Sequence, residues 1–197
     1  MDSRFGNIPP PRRPIRINSS LLIGTMNILG YFEDHLYPHQ PIEEIRFTSR
    51  IFLRDASHKL AFLSIEGEDF FGKRHHLETP GGGVEAHETF VEAAHRELME
   101  ELGATATNLD LLGCVIDRYH LIHRLTISVY FEATLNKLHP TTQRTEEETL
   151  LIADVQWLSE HEALQRLTHH ENAVDELIHR RELCALQALL KRHEEGR

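Results

Sequence analysis

The stretch "GGVEAHETFVEAAHRELMEELGA", Gly82 to Ala104, sets Glu97, Glu100 and Glu101 close together just after a run of glycines. Between Glu88 and Leu102 the residues Phe90, Val91, Ala94, Leu98 and Leu102 recur at helical spacing, and Gly103 is a suitable stop. On a wheel of about 100° per residue, Glu97 and Glu101 fall within roughly 40° of each other, with Glu100 about 60° beyond Glu97. With Phe90 at zero, the apolar arc runs from about 0° to 120°, so Glu97 and Glu101 border it instead of lying opposite. Like charges at this spacing repel, and at the edge of a packed face desolvation raises the cost of leaving them unpaired. Something positive should compensate. Arg96 is one candidate. A divalent metal is the stronger one, because clustered carboxylate oxygens are hard ligands suited to magnesium or manganese, with waters and substrate phosphates completing the shell.

The glycines before the helix, "TPGGGVE", turn sharply and bring backbone groups close to a ligand, because glycine has no Cβ and accepts positive φ. No Gly-Lys-Ser/Thr follows and the G-x-G-x-x-G spacing is missing, so neither a Walker loop nor a dinucleotide fingerprint is present. An ordinary strand-to-helix turn explains such a run equally well. Helix and glycines together meet the pattern G-x5-E-x7-R-E-U-x-E-E-x-G-U through Gly82, Glu88, Arg96, Glu97, Leu98, Glu100, Glu101, Gly103 and Ala104. This segment resembles the signature of the Nudix hydrolases. Chance agreement at the fixed positions is on the order of 10⁻⁸ per starting point at ordinary residue frequencies. Two departures stand out: His87 occupies a place where many members have glycine, and Ala104 is smaller than the usual last aliphatic residue. They bear on loop geometry and packing more than on the acidic ligands.

The resemblance implies a hydrolase in which water attacks a phosphorus of a diphosphate linked to another group, with Mg2+ or Mn2+ as cofactor. It makes Glu97 and Glu101 the principal metal ligands, Glu100 a further one and the Gly81 carbonyl another, with Arg96 and Glu88 orienting that shell through charge-assisted hydrogen bonds. For the general base, the later "TEEET" offers Glu146, Glu147 and Glu148. Glu148 is favoured because its distance from Trp157 resembles the family's late glutamate, with Glu97 as its rival on the helix. Arg46, Arg50 and Arg118, on predicted strands near the site, are candidate phosphate contacts, although arginine on an exposed strand face is commonplace.

Outward from this box, "IRFTSRIFLRD" and "KLAFLSIE" read as a hairpin, and "HHLETPGGGVE" as a strand entering a Pro-Gly loop. "LDLLGCVIDRYHL", "RLTISVYFEATL" and "LIADVQWLS" read as further strands, and "NKLHPTTQRTEEET" as a polar loop. "SEHEALQRL" reads as a short helix capped by Ser159, and "ENAVDELIHRRELCALQALLKRHEE" as a long amphipathic one. The fold class is α/β (α+β), a mixed sheet between helices. The resemblance narrows it to a Nudix-like α/β/α sandwich with a C-terminal helix. Residues 1–40 read as an arm or extension, 41–168 as the catalytic domain, and 169–197 as a helical extension packed on the same domain. The long helix offers a homodimer contact, and packing on its own domain explains its amphipathy equally well.

Composition constrains the rest. The formal net charge of -10 argues against a general grip on nucleic acid. Hydrophobic runs are too short to span a bilayer, and two cysteines without metal-ligand spacing suit a reduced cytoplasmic chain. Fifteen histidines appear, but no H-E-x-x-H or Cys/His spacing, so the pairs at His75–His76 and His169–His170 read as surface or lining. The expected partner is a small-molecule diphosphate, a nucleoside diphosphate derivative. Tyr119 lies near where dinucleoside polyphosphate hydrolases of the family place a tyrosine. Alternatives are a nucleotide sensor without turnover, and an isoprenoid diphosphate isomerase, which would want a cysteine such as Cys114 beside the metal.

Overall fold

The β-rich runs beginning at Ile45 form long strands because their branched and aromatic side chains are covered on both faces. The computed structural model describes residues 26–69 and 71–196. Most of the proline- and arginine-rich arm lies outside them. The elements in chain order are β1 (Ile28–Glu33), β2 (Glu44–Arg54), β3 (Leu60–Asp69), β4 (Gly72–Glu78), β5 (Gly81–Gly83), α1 (Phe90–Leu102), β6 (Ala104–Tyr119), β7 (Arg124–Leu138), α2 (Glu146–Leu151), β8 (Ile152–Leu158), α3 (Glu160–Leu167) and α4 (Ala173–Glu195).

The sheet is mixed, in the order β1-β6-β7-β2-β3-β4, with β5 added to β2 and β8 to β3. β1 runs parallel to β6 and β2 parallel to β7, while the other neighbours are antiparallel. β2 and β3 form the expected hairpin, closed at Asp55, whose carboxylate accepts the amides of Ser57 and Lys59. Their pairing is confined to Arg54 and Leu60. The two strands then diverge, leaving an opening into which the chain crosses from β4 through Thr79 and Pro80 to β5. There Gly81, Gly82 and Gly83 pair with Arg50, Ser49 and Thr48.

Alternation along β2 feeds two cores. Ile51 and Leu53 pack with Ala94, Leu98 and Leu102 of α1. Phe52 faces the other way, with Phe62 and Tyr130, onto Ala185, Leu186 and Leu189 of α4 and Ala163 and Leu167 of α3. The apolar face of α4 is therefore used within its own chain. Its polar face covers the edge strand β4, whose outward amides would otherwise be buried without partners. The N–H groups of His75, Leu77 and Thr79 donate to Asp175 Oδ2 (3.0 Å), His179 Nε2 (3.0 Å) and Glu182 Oε2 (3.3 Å). Acceptors at i, i+4 and i+7 of a helix thus follow every second residue of a strand.

Two segments differ from the sequence reading. Residues 28–33, placed there in the N-terminal extension, are strand β1, held because Leu29 and Phe32 pack against the α4 core. The polar loop ends in a helix: Thr145 caps α2, and Glu148 closes a capping box with it. The same Ser/Thr-x-x-Glu spacing begins α3, where Ser159 and Glu162 form the expected box.

Candidate active site

The glycines are dictated by what lies beside them. A Cβ on Gly82 would collide with the Glu97 carboxylate, and one on Gly81 with the Ser49 carbonyl; Gly81 also holds φ 134°. His87 stands at φ 72°, a left-handed conformation that explains why glycine suits this place and that histidine tolerates better than branched residues do. Thr89 and Glu92 then form a capping box that starts α1, and Gly103 ends it in the left-handed region.

Glu97 and Glu101 are 4% and 5% exposed, so their placement at the edge of the apolar arc does bury them. Arg96 gathers the others. Its Nε and Nη2 bind both oxygens of Glu88 (2.9 and 3.1 Å), Nη1 binds Glu97 (2.9 Å) and Glu100 (2.8 Å), and Nη2 also donates to the Gly83 carbonyl (2.8 Å). Glu101 accepts the Gly81 amide at 2.7 Å, which ties the helix to the crossing. Burial opposes ionisation of Glu88, but the Arg96 hydrogen bonds outweigh it and hold its carboxyl below the ordinary range. Burial pushes Glu97 up in spite of Arg96. Burial and then Glu97 push Glu101 well above the usual carboxylate range.

Glu148 reaches this cluster from the far side. Oxygens of Glu97, Glu100 and Glu148 lie within 4.8 Å of one another, the group of carboxylates among the described residues spaced to hold a metal ion. The connection after β7 delivers it by satisfying the last carbonyls of α1, which have no partner within the helix. The His139 amide donates to Gly103, the Gln143 amide to Glu100, and Arg144 Nε to Glu101 (2.8 Å). Arg144 was not singled out in the sequence, and a lone arginine in a polar loop gives no signal of this role. The side chain of Glu147 lies outside the described residues.

Beside the crossing, a cavity of about 200 Å³ opens between the sheet and the first turns of α4. Arg46, Arg50, Arg124 and Tyr119 line it, with Phe71 beside Tyr119, their ring centroids 5.8 Å apart. Arg50 is buried, binding Glu78 at 3.2 Å and the Thr79 carbonyl at 3.0 Å. Arg46 is exposed and has no hydrogen bond or ion pair among the described residues. Arg124, which the sequence reading passed over, is held by Glu44 at 2.8 Å. Arg118 does not join them. Neighbouring residues of a strand face opposite ways, so Tyr119 takes the cavity side while Arg118 binds the Gln40 carbonyl (2.7 Å) and lies 3.6 Å from Glu33. Glu78, also not foreseen, sits where the two wings meet. Burial opposes its charge, but Arg50, then His76 and Arg181, hold its carboxyl at about 2. His76 is buried against Asp175, not on the surface. Among the described residues no helix is long and apolar enough to cross a membrane.

The profile of the NUDIX domain matches residues 45–180, and the chain belongs to the Nudix family. As a Nudix hydrolase it is a pyrophosphohydrolase of the general kind, acting on small molecules. No curated protein matches the sequence. Similar folds include a Nudix hydrolase from Nitrosomonas europaea, 17% identical, covering 80% of this chain and 92% of that one with a TM-score of 0.57. A MutT protein from Methanosarcina mazei Go1 is 16% identical over 79% of this chain and 99% of that one, with a TM-score of 0.55. A MutT Nudix hydrolase from Burkholderia pseudomallei is 16% identical over 71% and 98%, with a TM-score of 0.53.

Proposed function

We propose that the chain hydrolyses a phosphoanhydride bond in a nucleoside diphosphate linked to another moiety, with Mg2+ or Mn2+ held by Glu97, Glu100, Glu101 and the Gly81 carbonyl. One observation carries this reading: Glu97, Glu100 and Glu148 crowd one place, Glu101 stands beside Glu97, and Arg96 is hydrogen-bonded to Glu97 and Glu100 alone of the four. Hard oxygen donors with surplus negative charge fit a divalent cation. Such an ion, when bound, neutralises and orients a diphosphate and acidifies water.

The protein's own groups do the rest. Arg96 and Glu88 fix the carboxylates of the helix, and Gly81 fixes Glu101. Arg46 and Arg50 face the cavity and draw the substrate's phosphates toward the crossing. Glu148, anchored through its capping box beside Glu97 and Glu100, accepts a proton from the attacking water, with Glu97 as the rival base. Tyr119 and Phe71 offer aromatic surface to the remainder of the substrate. A cytoplasmic setting and the absence of a general grip on nucleic acid accompany this reading. The isomerase alternative finds no support, since Cys114 is buried among Val129 and Phe131 and burial pushes its thiol up.

The test is a panel of nucleoside diphosphate derivatives incubated with Mg2+ or Mn2+ in ¹⁸O-labelled water. The expected result is metal-dependent cleavage with label in one phosphate of the products. Label confined to carbon or to an alcohol product would rule out phosphoanhydride hydrolysis.

A further inference from the structure

We infer that Glu182, on α4 and outside the acidic box, is a positioning residue for the metal site, acting through Thr79 and Gly81. The inference rests on the proposed metal-dependent function.

Glu182 is fully buried, and all its partners are donors. Oε2 accepts the Thr79 amide (3.3 Å) and the Thr79 hydroxyl (2.9 Å). Oε1 accepts the Tyr130 hydroxyl (2.9 Å) and Nε and Nη2 of Arg181 (3.0 and 2.8 Å). Covering the edge of β4 explains the Asp175 and His179 rungs, which end on strand residues. The Glu182 rung goes past the end of the strand. It grips Thr79 by two bonds, where the chain leaves one wing of the sheet for the other. The Thr79 carbonyl in turn binds Arg50 (3.0 Å), the Pro80 carbonyl accepts the Ile51 amide (2.9 Å), and the next amide, that of Gly81, holds Glu101 (2.7 Å). The short segment that offers the Gly81 carbonyl is thus clamped by a carboxylate of α4 on one side and a carboxylate of α1 on the other. A ligand set is only as well placed as the groups that hold it, and loosening such support typically weakens metal affinity 10–100-fold.

Glu182→Gln keeps the volume, but its single amide oxygen stays with the three donors of Tyr130 and Arg181, so the NH2 turns to Thr79 and the bond from the Thr79 amide is lost. Asp175→Asn is the matched control. Asp175 is equally buried, with Arg74 Nε and the His76 ring on one oxygen and the His75 amide on the other, but it stops short of the crossing. Both variants should lower the melting temperature. Mn2+ binding, read from the free-ion electron paramagnetic resonance signal of the full chain, separates them. The expected Kd rises about tenfold in Glu182→Gln, the low end of what loosened support costs a metal site, and less than about twofold in Asp175→Asn. An equal rise in both, or a Kd in Glu182→Gln within about twofold of wild type, overturns the inference. Should Glu182→Gln fail to fold, Thr79→Val removes only the hydroxyl donor, with a rise of about threefold expected, and an unchanged Kd there overturns it too. A wild-type chain that binds no Mn2+ overturns instead the metal reading beneath it.

Discussion

Two clusters of buried charge meet at the crossing from Glu78 to Gly83, and they are built on opposite principles. On the α4 side the cations have carboxylates: Arg74 pairs with Asp175, Arg181 with Glu182 and Glu78, and Arg50 with Glu78. On the α1 side Glu88, Glu97 and Glu100 share Arg96, Glu101 has a backbone amide, and Glu148 adds another carboxylate. Buried charge therefore does not mark a ligand site by itself. The α4 network is the more enclosed of the two, and balanced pairing of this kind holds a structure together. A local surplus of one sign marks where a missing partner belongs.

The largest effect expected from this contrast is at Glu101. Glu101→Gln should lower kcat by about 10²-fold or more at saturating Mg2+, in keeping with electrostatic roles at reacting groups. Its stability should change in the opposite sense without metal. A carboxyl whose folded pKa is raised contributes stability below its unfolded value, and that contribution is lost as pH rises through the folded value. In EDTA the variant should therefore melt above wild type at pH 8 and approach it near pH 5. A variant with wild-type turnover, or one that melts lower at pH 8, would break the contrast.

The general base comes next. Glu148→Gln should reduce kcat by about 10²-fold or more while leaving the metal concentration dependence nearly intact. Glu97→Gln, which also loses its bond to Arg96, should weaken both rate and metal affinity. If the two variants exchange these signatures, the base lies on the helix. Selective rate loss in Glu147→Gln instead would shift the assignment by one residue.

The cavity gives a smaller effect. Arg46→Ala removes a guanidinium that has no other partner among the described residues, so KM should rise about tenfold with kcat little changed. Arg118→Ala should leave both constants near wild type, because its guanidinium is engaged by Gln40 and Glu33.

How much of this was legible in the sequence depended on how local the cause was. The box helix, its Gly103 stop and its buried glutamates follow from spacing within one turn or two, and so do α3 and the β2–β3 hairpin. The α2 cap had the same Thr-x-x-Glu signal and was hidden by the polar residues around it. Strand β1 was not legible, since a short run broken by glycine becomes a strand only when Leu29 and Phe32 find α4. Glu78, Arg124, Arg144 and Glu182 are single charged residues whose partners, apart from Arg181 beside Glu182, are distant in sequence. Arg118 was misplaced for a simpler reason: a one-residue step along β6 changes the face.

Asp117 sharpens the comparison from the balanced side. It is fully buried, among the described residues no hydrogen bond reaches either oxygen, and Arg181 stands 3.7 Å away. Burial pushes its carboxyl up to about 7, against the pull of Arg181. A raised folded pKa means stability present below pH 4 and lost as pH rises toward about 7. Asp117→Asn should therefore flatten the fall in melting temperature between pH 5 and pH 8, by on the order of a few degrees. An unchanged slope would show that Asp117 does not titrate in this range.

The surplus of carboxylates on α1 is tested most directly by the melting temperature of the wild-type chain and of Glu101→Gln as Mn2+ is raised from zero to millimolar concentration. A cation that binds the folded chain and not the unfolded one must stabilise it by linkage. The wild-type melting temperature should climb once Mn2+ passes its Kd, and the variant, already relieved of one negative charge, should gain much less. A flat wild-type curve across the same range would contradict a divalent metal site on this helix.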